Sequence, residues 1–495
     1  MGTPSVHPMG TIIYKPEKCY NGYTLFQANE HGATLIDMNG GVVNHWHNLE
    51  GFPNKLLSNG DVFGCRGQRN STYGWQDYKD LVQVDWNGRV RWEFKKNQYI
   101  EDPDHAPEWM ARQHHDYQRE GNPVGYYVPG MDAKTEGGNT LILTHTDVVV
   151  PEISLHKLIS DRMIEVDWEG NIVWEWCIHD HFDELGFDEA AKNAIARNPN
   201  LVKNGLGDWM HINCMSVLGP NKWYDAGDER FKPDNIIWDA REANILAIID
   251  KETGKIVWKL GPDFTETKEM RRIGQIIGQH HVHMIPKGLP GEGNILIFDN
   301  GGWAGYGVPD RMSVDGTKVD IRDHSRILEI DPTTLKVVWS YVGGDTHTYG
   351  MGSFITNTRF YSQLISAAQR LPNGNTMITE GCCSRIFEVT PEKEVVWEYI
   401  APFTKESQGQ FVYRAYRYPY DYVPQLDTPE EVPVKALEIE TFRVPGAAPG
   451  MLDNITEVPE AMGYTSEMAA CVTDDQVDDA AEEVDPDDEV TGARF

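Results

Sequence analysis

The chain has 495 residues, 40% hydrophobic and 24% charged, an ordinary globular composition with length to bury a large core. Its 44 basic and 76 acidic residues leave a formal charge of −32, which argues against nucleic acid or an anionic membrane as partner. No apolar run approaches the roughly 18 residues of a transmembrane helix, residues 1–10 lack a signal-like pattern, and seven cysteines are too few for a disulfide scaffold. The expectation is a cytoplasmic chain with reduced thiols, or a periplasmic one if a leader has been removed. Its oligomeric state stays open.

In chain order, one unit recurs: an apolar strand, a polar turn, and a second strand ending in tryptophan. ATLIDMNGGVVNHW ends at Trp46, LVQVDWNGRVRW at Trp92 and MIEVDWEGNIVW at Trp174. LAIIDKETGKIVW, ILEIDPTTLKVVW and IFEVTPEKEVVW end at Trp258, Trp339 and Trp397. Alternation around a D-x-x-G or D-P-x-x turn signals a hairpin. Most copies follow a second hairpin, as in LLSNGDVFG, GGNTLILTH, PGEGNILIFDNG and LPNGNTMITEG. Two hairpins per copy make a four-stranded sheet, and six such sheets predict an all-β, six-bladed β-propeller. The tryptophans are expected to pack blade against blade.

Two insertions read as helices, over 182–203 and 266–277, and are expected on one face as a partial lid. The propeller is placed at 1–400, with the N-terminal segment completing the ring. A closing segment packed on it follows at 401–454. Residues 455–495 read as an acidic, disordered tail, with ten acids between 474 and 489.

In a propeller, the start of each innermost strand and the end of the next open on the same face. Starts supply His114, His115 and Asp116, then Asp208, His211 and Asn213, then His280, His281 and His283. His114, His211 and His280 align to within a residue. Ends supply Arg66, His145, Arg241, Asp299 with Asn300, and Glu380. Other chemistries lack their motif: there is no Walker loop, GxSxG elbow or HEXXH, and Cys382 and Cys383 are adjacent rather than CxxC.

At DWMHIN, GQHHVHMIPKG, GNILIFDNGG, HSRILEID and AAQRLPNGNTMITEG the sequence resembles the bacterial arylsulfotransferases, six-bladed propellers that move sulfate from aryl esters to phenols without a nucleotide. The resemblance implies a funnel lined by histidines and an arginine, with one histidine accepting the sulfuryl group. Its D-W-x-H-x-N histidine corresponds to His211, its Q-H histidine to His280, and its arginine to Arg311 or Arg326. Where the family has a further histidine, this chain offers Tyr361, Ser362 and Ser366, with His347 nearby.

Three functions follow as expectations. The first is sulfuryl transfer, or a related hydrolysis, with His211, His280, Arg241 and Arg311 or Arg326 catalytic and no cofactor required. There His114, His115, His145, Asn213, Asn300 and Glu380 would bind a small aromatic or anionic substrate. The second is a metal-dependent enzyme holding a transition-metal ion or zinc on His114, His115, His211, His280 and His281. The third is a non-catalytic binding platform.

Overall fold

The computed structural model describes residues 9–28, 32–343, 360–403 and 411–436. His347 and the acidic tail expected at 455–495 lie outside them. The described residues form six antiparallel blades, making an all-β propeller. Blade 1 orders Ala415–Tyr418, Tyr23–Gln27, Ala33–Ile36 and Val42–Trp46 from the axis outward; blade 2 orders Glu50–Leu56, Val62–Cys65, Leu81–Val84 and Val90–Phe94. Blade 3 holds Gln113–Arg119, Thr140–Val148, Leu158–Val166 and Ile172–Cys177, and blade 4 holds Ile212–Val217, Ile236–Ala240, Ile245–Ile249 and Ile256–Leu260. Blade 5 holds His280–Met284, Ile295–Asp299, Arg326–Ile330 and Val337–Tyr341. Blade 6 holds Ala367–Arg370, Thr376–Glu380, Arg385–Val389 and Val395–Ile400, with Gly10–Tyr14 added outside as a fifth strand.

Ring closure differs from the expected boundary at residue 400. Ala415–Tyr418 pairs with Tyr23–Gln27 as the innermost strand of blade 1, so both chain ends build that blade. The physical reason is edge protection: three N-terminal strands alone would leave an unpaired inner edge on the axis.

The repeated tryptophan has one job in all six copies. Its indole N–H donates to a carbonyl in the outer turn of the next blade: Trp46 to Asp85 (3.2 Å), Trp92 to Trp168 (2.8 Å) and Trp174 to Lys251 (3.0 Å). Trp258 to Pro332 (2.9 Å), Trp339 to Pro391 (2.9 Å) and Trp397 to Met38 (2.8 Å) complete the circuit. An aspartate shapes five of these turns, and in the sixth Thr390 takes its place, its Oγ1 accepting the Glu394 N–H at 3.3 Å. Asp37, Asp85, Asp167, Asp250 and Asp331 each accept backbone N–H groups within their own turn, fixing its shape.

Both insertions contain the expected helices, Glu189–Arg197 and Lys268–Ile273, capped by Asp188 and Thr267. The first packs beside the small hairpin Ala304–Tyr306 with Thr317–Asp320 through Asn198 on Asp315, and Ser154, in the loop before Leu158–Val166, donates to its Ala196 carbonyl. Tyr306 reaches from that hairpin to the Trp209 carbonyl, two residues before His211. Among the described residues, no helix is long and apolar enough to cross a membrane.

Candidate functional site

The first strands of blades 3, 4 and 5 start irregularly. Pairing with the second strand slips between Gln113 and Tyr117, between Ile212 and Cys214, and between His280 and His283. At or beside each slip a histidine takes the left-handed backbone region: His115 (φ 52°), His211 (φ 54°) and His281 (φ 53°). Such a conformation costs on the order of 1–3 kcal/mol for a residue with a Cβ and concentrates at functional sites. Bulges re-aim side chains, and here they turn imidazoles toward one another. His114 and His145 stack with centroids 3.5 Å apart, His114 and His115 meet through their Nδ1 atoms at 2.8 Å, and the His115 and His211 rings lie 4.6 Å apart.

Second-strand ends add to this level. His145, Arg241 and Asn300 stand at the same place in three blades, five residues beyond Thr140, Ile236 and Ile295, which pair with Val166, Ile249 and Ile330. Burial pushes the imidazoles of His114, His115, His280, His281 and His283 below their ordinary value, His283 to about 4, so they are neutral at pH 7. All five are at most 3% exposed, whereas His211 is 8% and Arg241 9% exposed.

Two histidines are held by carboxylates. His211 Nδ1 lies 2.5 Å from Asp208 Oδ2, and His145 Nδ1 lies 2.5 Å from Asp77 Oδ1. Burial opposes ionisation of Asp208, but the His211 ring outweighs it and keeps the carboxyl below the usual range. Asp77 is likewise opposed by burial and held far lower by Arg112, His145 and Arg69; Arg112 donates at 2.8 Å and Arg69 at 3.0 Å. Each carboxylate fixes its partner as the Nδ1–H tautomer, leaving a lone pair on Nε2.

His280 is engaged on both nitrogens. Nδ1 meets Asn300 Oδ1 at 2.8 Å and Nε2 accepts the Ile365 N–H at 3.1 Å. Asn300 Nδ2 donates to the carbonyls of Ser362 and Ile365, both at 2.7 Å, so His280 and Asn300 together anchor the segment entering blade 6. Asn213 similarly ties blade 4 to Gln279 at 2.8 Å.

Of the expected arginines, Arg241 sits beside His211, its N–H on the His211 carbonyl at 3.1 Å and its guanidinium on Glu242. Arg326 is consumed elsewhere. It grips Asp299 through Nε (2.9 Å) and Nη2 (2.6 Å) and caps the Ile273 carbonyl that ends the second helix (2.9 Å). Arg311 lies exposed in the turn between the strands of the small hairpin. Glu380 accepts the Tyr361 N–H and pairs with Arg385 at 3.0 Å. The five histidines expected around one ion are not drawn to a point; among the described residues, His114, His145 and Asp161 come within ligand range of one another.

The sequence reading missed the axial plug. Tyr413 and Arg414 enter from the closing strand: Tyr413 donates to the Asn213 carbonyl (3.1 Å), and Arg414 pairs with Asp116 (2.9 Å), which also holds buried Lys55 (2.6 Å). The Tyr413 ring lies 5.8 Å from His115 and 6.4 Å from His280.

The arylsulfotransferase (ASST) family model matches residues 132–418, which include His145, Asp208, His211, Arg241, His280 and Arg414. No curated protein matches the chain. Among solved structures it is similar to a protein of unknown function from Bacteroides caccae, at 10% identity over 80% of this chain and 98% of that one, with a TM-score of 0.39. It is also similar to a streptogramin B lyase, at 14% identity over 82% and 87% with a TM-score of 0.33. The virginiamycin B lyase of Staphylococcus aureus matches at 12% identity over 80% and 86%, TM-score 0.33.

Proposed function

This chain belongs to the arylsulfotransferase family, and from that premise we propose that it transfers a sulfuryl group from an aryl sulfate to a phenol through His211. The carrying observation is the Asp208–His211 pair at 2.5 Å on a left-handed residue that is the most exposed of the clustered histidines. With Nδ1–H directed at Asp208, the Nε2 lone pair is the nucleophile. It forms an N–S bond as the S–O bond to the aryl group breaks, and the bonding pair leaves on the aryl oxygen. The ring then carries positive charge, which the Asp208 carboxylate balances. A phenol oxygen takes the sulfuryl group in turn, the N–S pair returns to Nε2, and the proton the acceptor loses is the one the released phenolate gains.

Arg241 is the cation for the sulfuryl oxygens, since a guanidinium matches a planar array of anionic oxygens. In this reading His280 positions rather than reacts, because its Nε2 already accepts a backbone N–H. The test is to incubate the full chain with an aryl sulfate and a phenol, without nucleotide, and follow phenol release. Turnover that His211→Ala abolishes in folded protein supports the reading. Folded wild-type chain inert toward every aryl sulfate tried would end it.

A further inference from the structure

Behind His211 lies a second, fully interior cluster that sulfuryl transfer does not use. His114 Nε2 is 3.5 Å and His145 Nε2 3.8 Å from Asp161 Oδ1, with all three ligand atoms within 4.8 Å of one another. The residues are 0%, 1% and 0% exposed. Neither Nε2 has a hydrogen-bond partner, and Asp161 Oδ2 has none either. Native interiors rarely leave one such atom unsatisfied. Here two bare Nε2 atoms face the same carboxylate, whose Oδ1 lies nearest them and whose Oδ2 is also unpartnered, an arrangement that one shared ion would satisfy.

We propose that His114, His145 and Asp161 bind one divalent first-row transition-metal ion of the zinc class. Two imidazoles and a carboxylate are a borderline N2O donor set that suits such ions better than calcium or magnesium. The outer contacts fit a ligand role. Asp77, locked by Arg112 and Arg69, holds the proton of His145 on Nδ1 and so aims a bare Nε2 inward. Asp161 Oδ1 accepts the Ile212 N–H at 3.1 Å, directly after His211, so the ion braces the backbone that presents His211. This site differs from the five-histidine set expected from sequence, and it stands whether or not the chain moves sulfate.

The test uses the full chain after chelator treatment, titrated calorimetrically with Zn2+, and with Co2+ read by visible absorption. Expected are one equivalent bound, a raised melting temperature and Co2+ d–d bands. Asp161→Asn and His145→Gln should each weaken binding about tenfold or more. His179→Ala, at the surface group of Cys177, His179 and Asp180, should leave it unchanged. If the interior variants fail to fold, X-ray absorption on the zinc-loaded wild type decides, by two imidazole nitrogens in the first shell. No uptake, uptake unchanged in folded Asp161→Asn, or a sulfur-containing shell overturns the proposal.

Discussion

At the rim of the propeller, six tryptophans donate to six turn carbonyls, each reaching the following blade. At the hub the blades contribute unlike groups. Blade 3 brings a stacked histidine pair with Asp77 behind it, and blade 4 brings the Asp208–His211 pair. Blade 5 brings a histidine saturated by Asn300 and Ile365, while blade 1 brings Tyr413 and Arg414 from the far end of the chain. The rim solves the same problem six times, which is how to fasten one sheet to the next, and one residue type answers it. The hub must place unlike groups around one axis, and in blades 3, 4 and 5 the inner strand enters by a bulge with a left-handed histidine. The blade-to-blade fastening is therefore spread around the ring, and the proposed chemistry falls at its unequal starts.

If that division holds, hub and rim substitutions should separate activity from folding. The largest effect is expected at Asp208→Asn, which keeps the shape but removes the charge that fixes the His211 tautomer. A loss of about 10²–10⁴ in kcat is expected by analogy with other carboxylate-oriented histidines, with KM little changed. Steady-state kinetics on folded variant checks this; a loss below threefold would detach Asp208 from the reaction. At the rim, Trp258→Ala removes a 7% exposed indole and its bond to Pro332. It should cost roughly 3–5 kcal/mol of stability while leaving kcat per folded molecule intact. Chemical denaturation alongside kinetics reads both quantities, and a kcat falling with stability would show that rim and hub are coupled.

The same division governs what the sequence discloses. Rim contacts depend on residue type at a fixed place in a hairpin, so the repeat ending in Trp46, Trp92, Trp174, Trp258, Trp339 and Trp397 carries the blade number unaided. Hub contacts join residues with no common spacing: Asp77 with His145 and Asp161 with His114 are single acids far from their partners in the chain. His211 was legible because its partner Asp208 lies in the same short motif. His280 was legible as a hub residue but not in its contacts, because a backbone N–H from Ile365 occupies its Nε2 and no side chain announces that. Arg326 follows the right strand yet is bound to Asp299, a match that only the register between strands reveals.

The hub should also set the acid limit of the fold. His114, His115, His280, His281 and His283 have folded values below the unfolded 6.5 because burial penalises their charged forms. Below about pH 6.5 the unfolded chain binds protons that the folded one does not, so stability falls as pH falls. For His283 that loss runs from pH 6.5 down to about 4. Asp239, raised by burial to about 8, acts oppositely: its contribution is complete below the unfolded value and is lost as pH rises through 8. Five groups against few predict a melting temperature that drops from pH 7 to pH 5. His283→Gln should flatten that slope by up to about 1.4 kcal/mol per pH unit, the limit for one proton. An unchanged slope would place the acid sensitivity outside the hub.

The smallest effect, and the sharpest division, is expected between two arginines. Arg241 borders His211 at the solvent edge, with its guanidinium on Glu242. Arg326 holds Asp299, the Ile273 carbonyl that ends the second helix and the Gln275 carbonyl just beyond it. Arg241→Gln should lower kcat/KM for an aryl sulfate and move the melting temperature little, because in the proposed reaction the cation it removes meets the sulfuryl oxygens. Arg326→Gln should do the reverse. It leaves Asp299 with Arg322, whose guanidinium lies 2.8 Å away, and with the Ile277 N–H at 2.9 Å. The remaining bonds keep that carboxylate from being stranded, so the cost should stay near 1–2 kcal/mol rather than the larger penalty of a buried unpaired charge. Kinetics and thermal melts on the two variants read the four quantities together. Arg326→Gln with intact stability and lost turnover would reverse the assignment, making Arg326 the group that meets the sulfuryl oxygens and Arg241 a partner for Glu242.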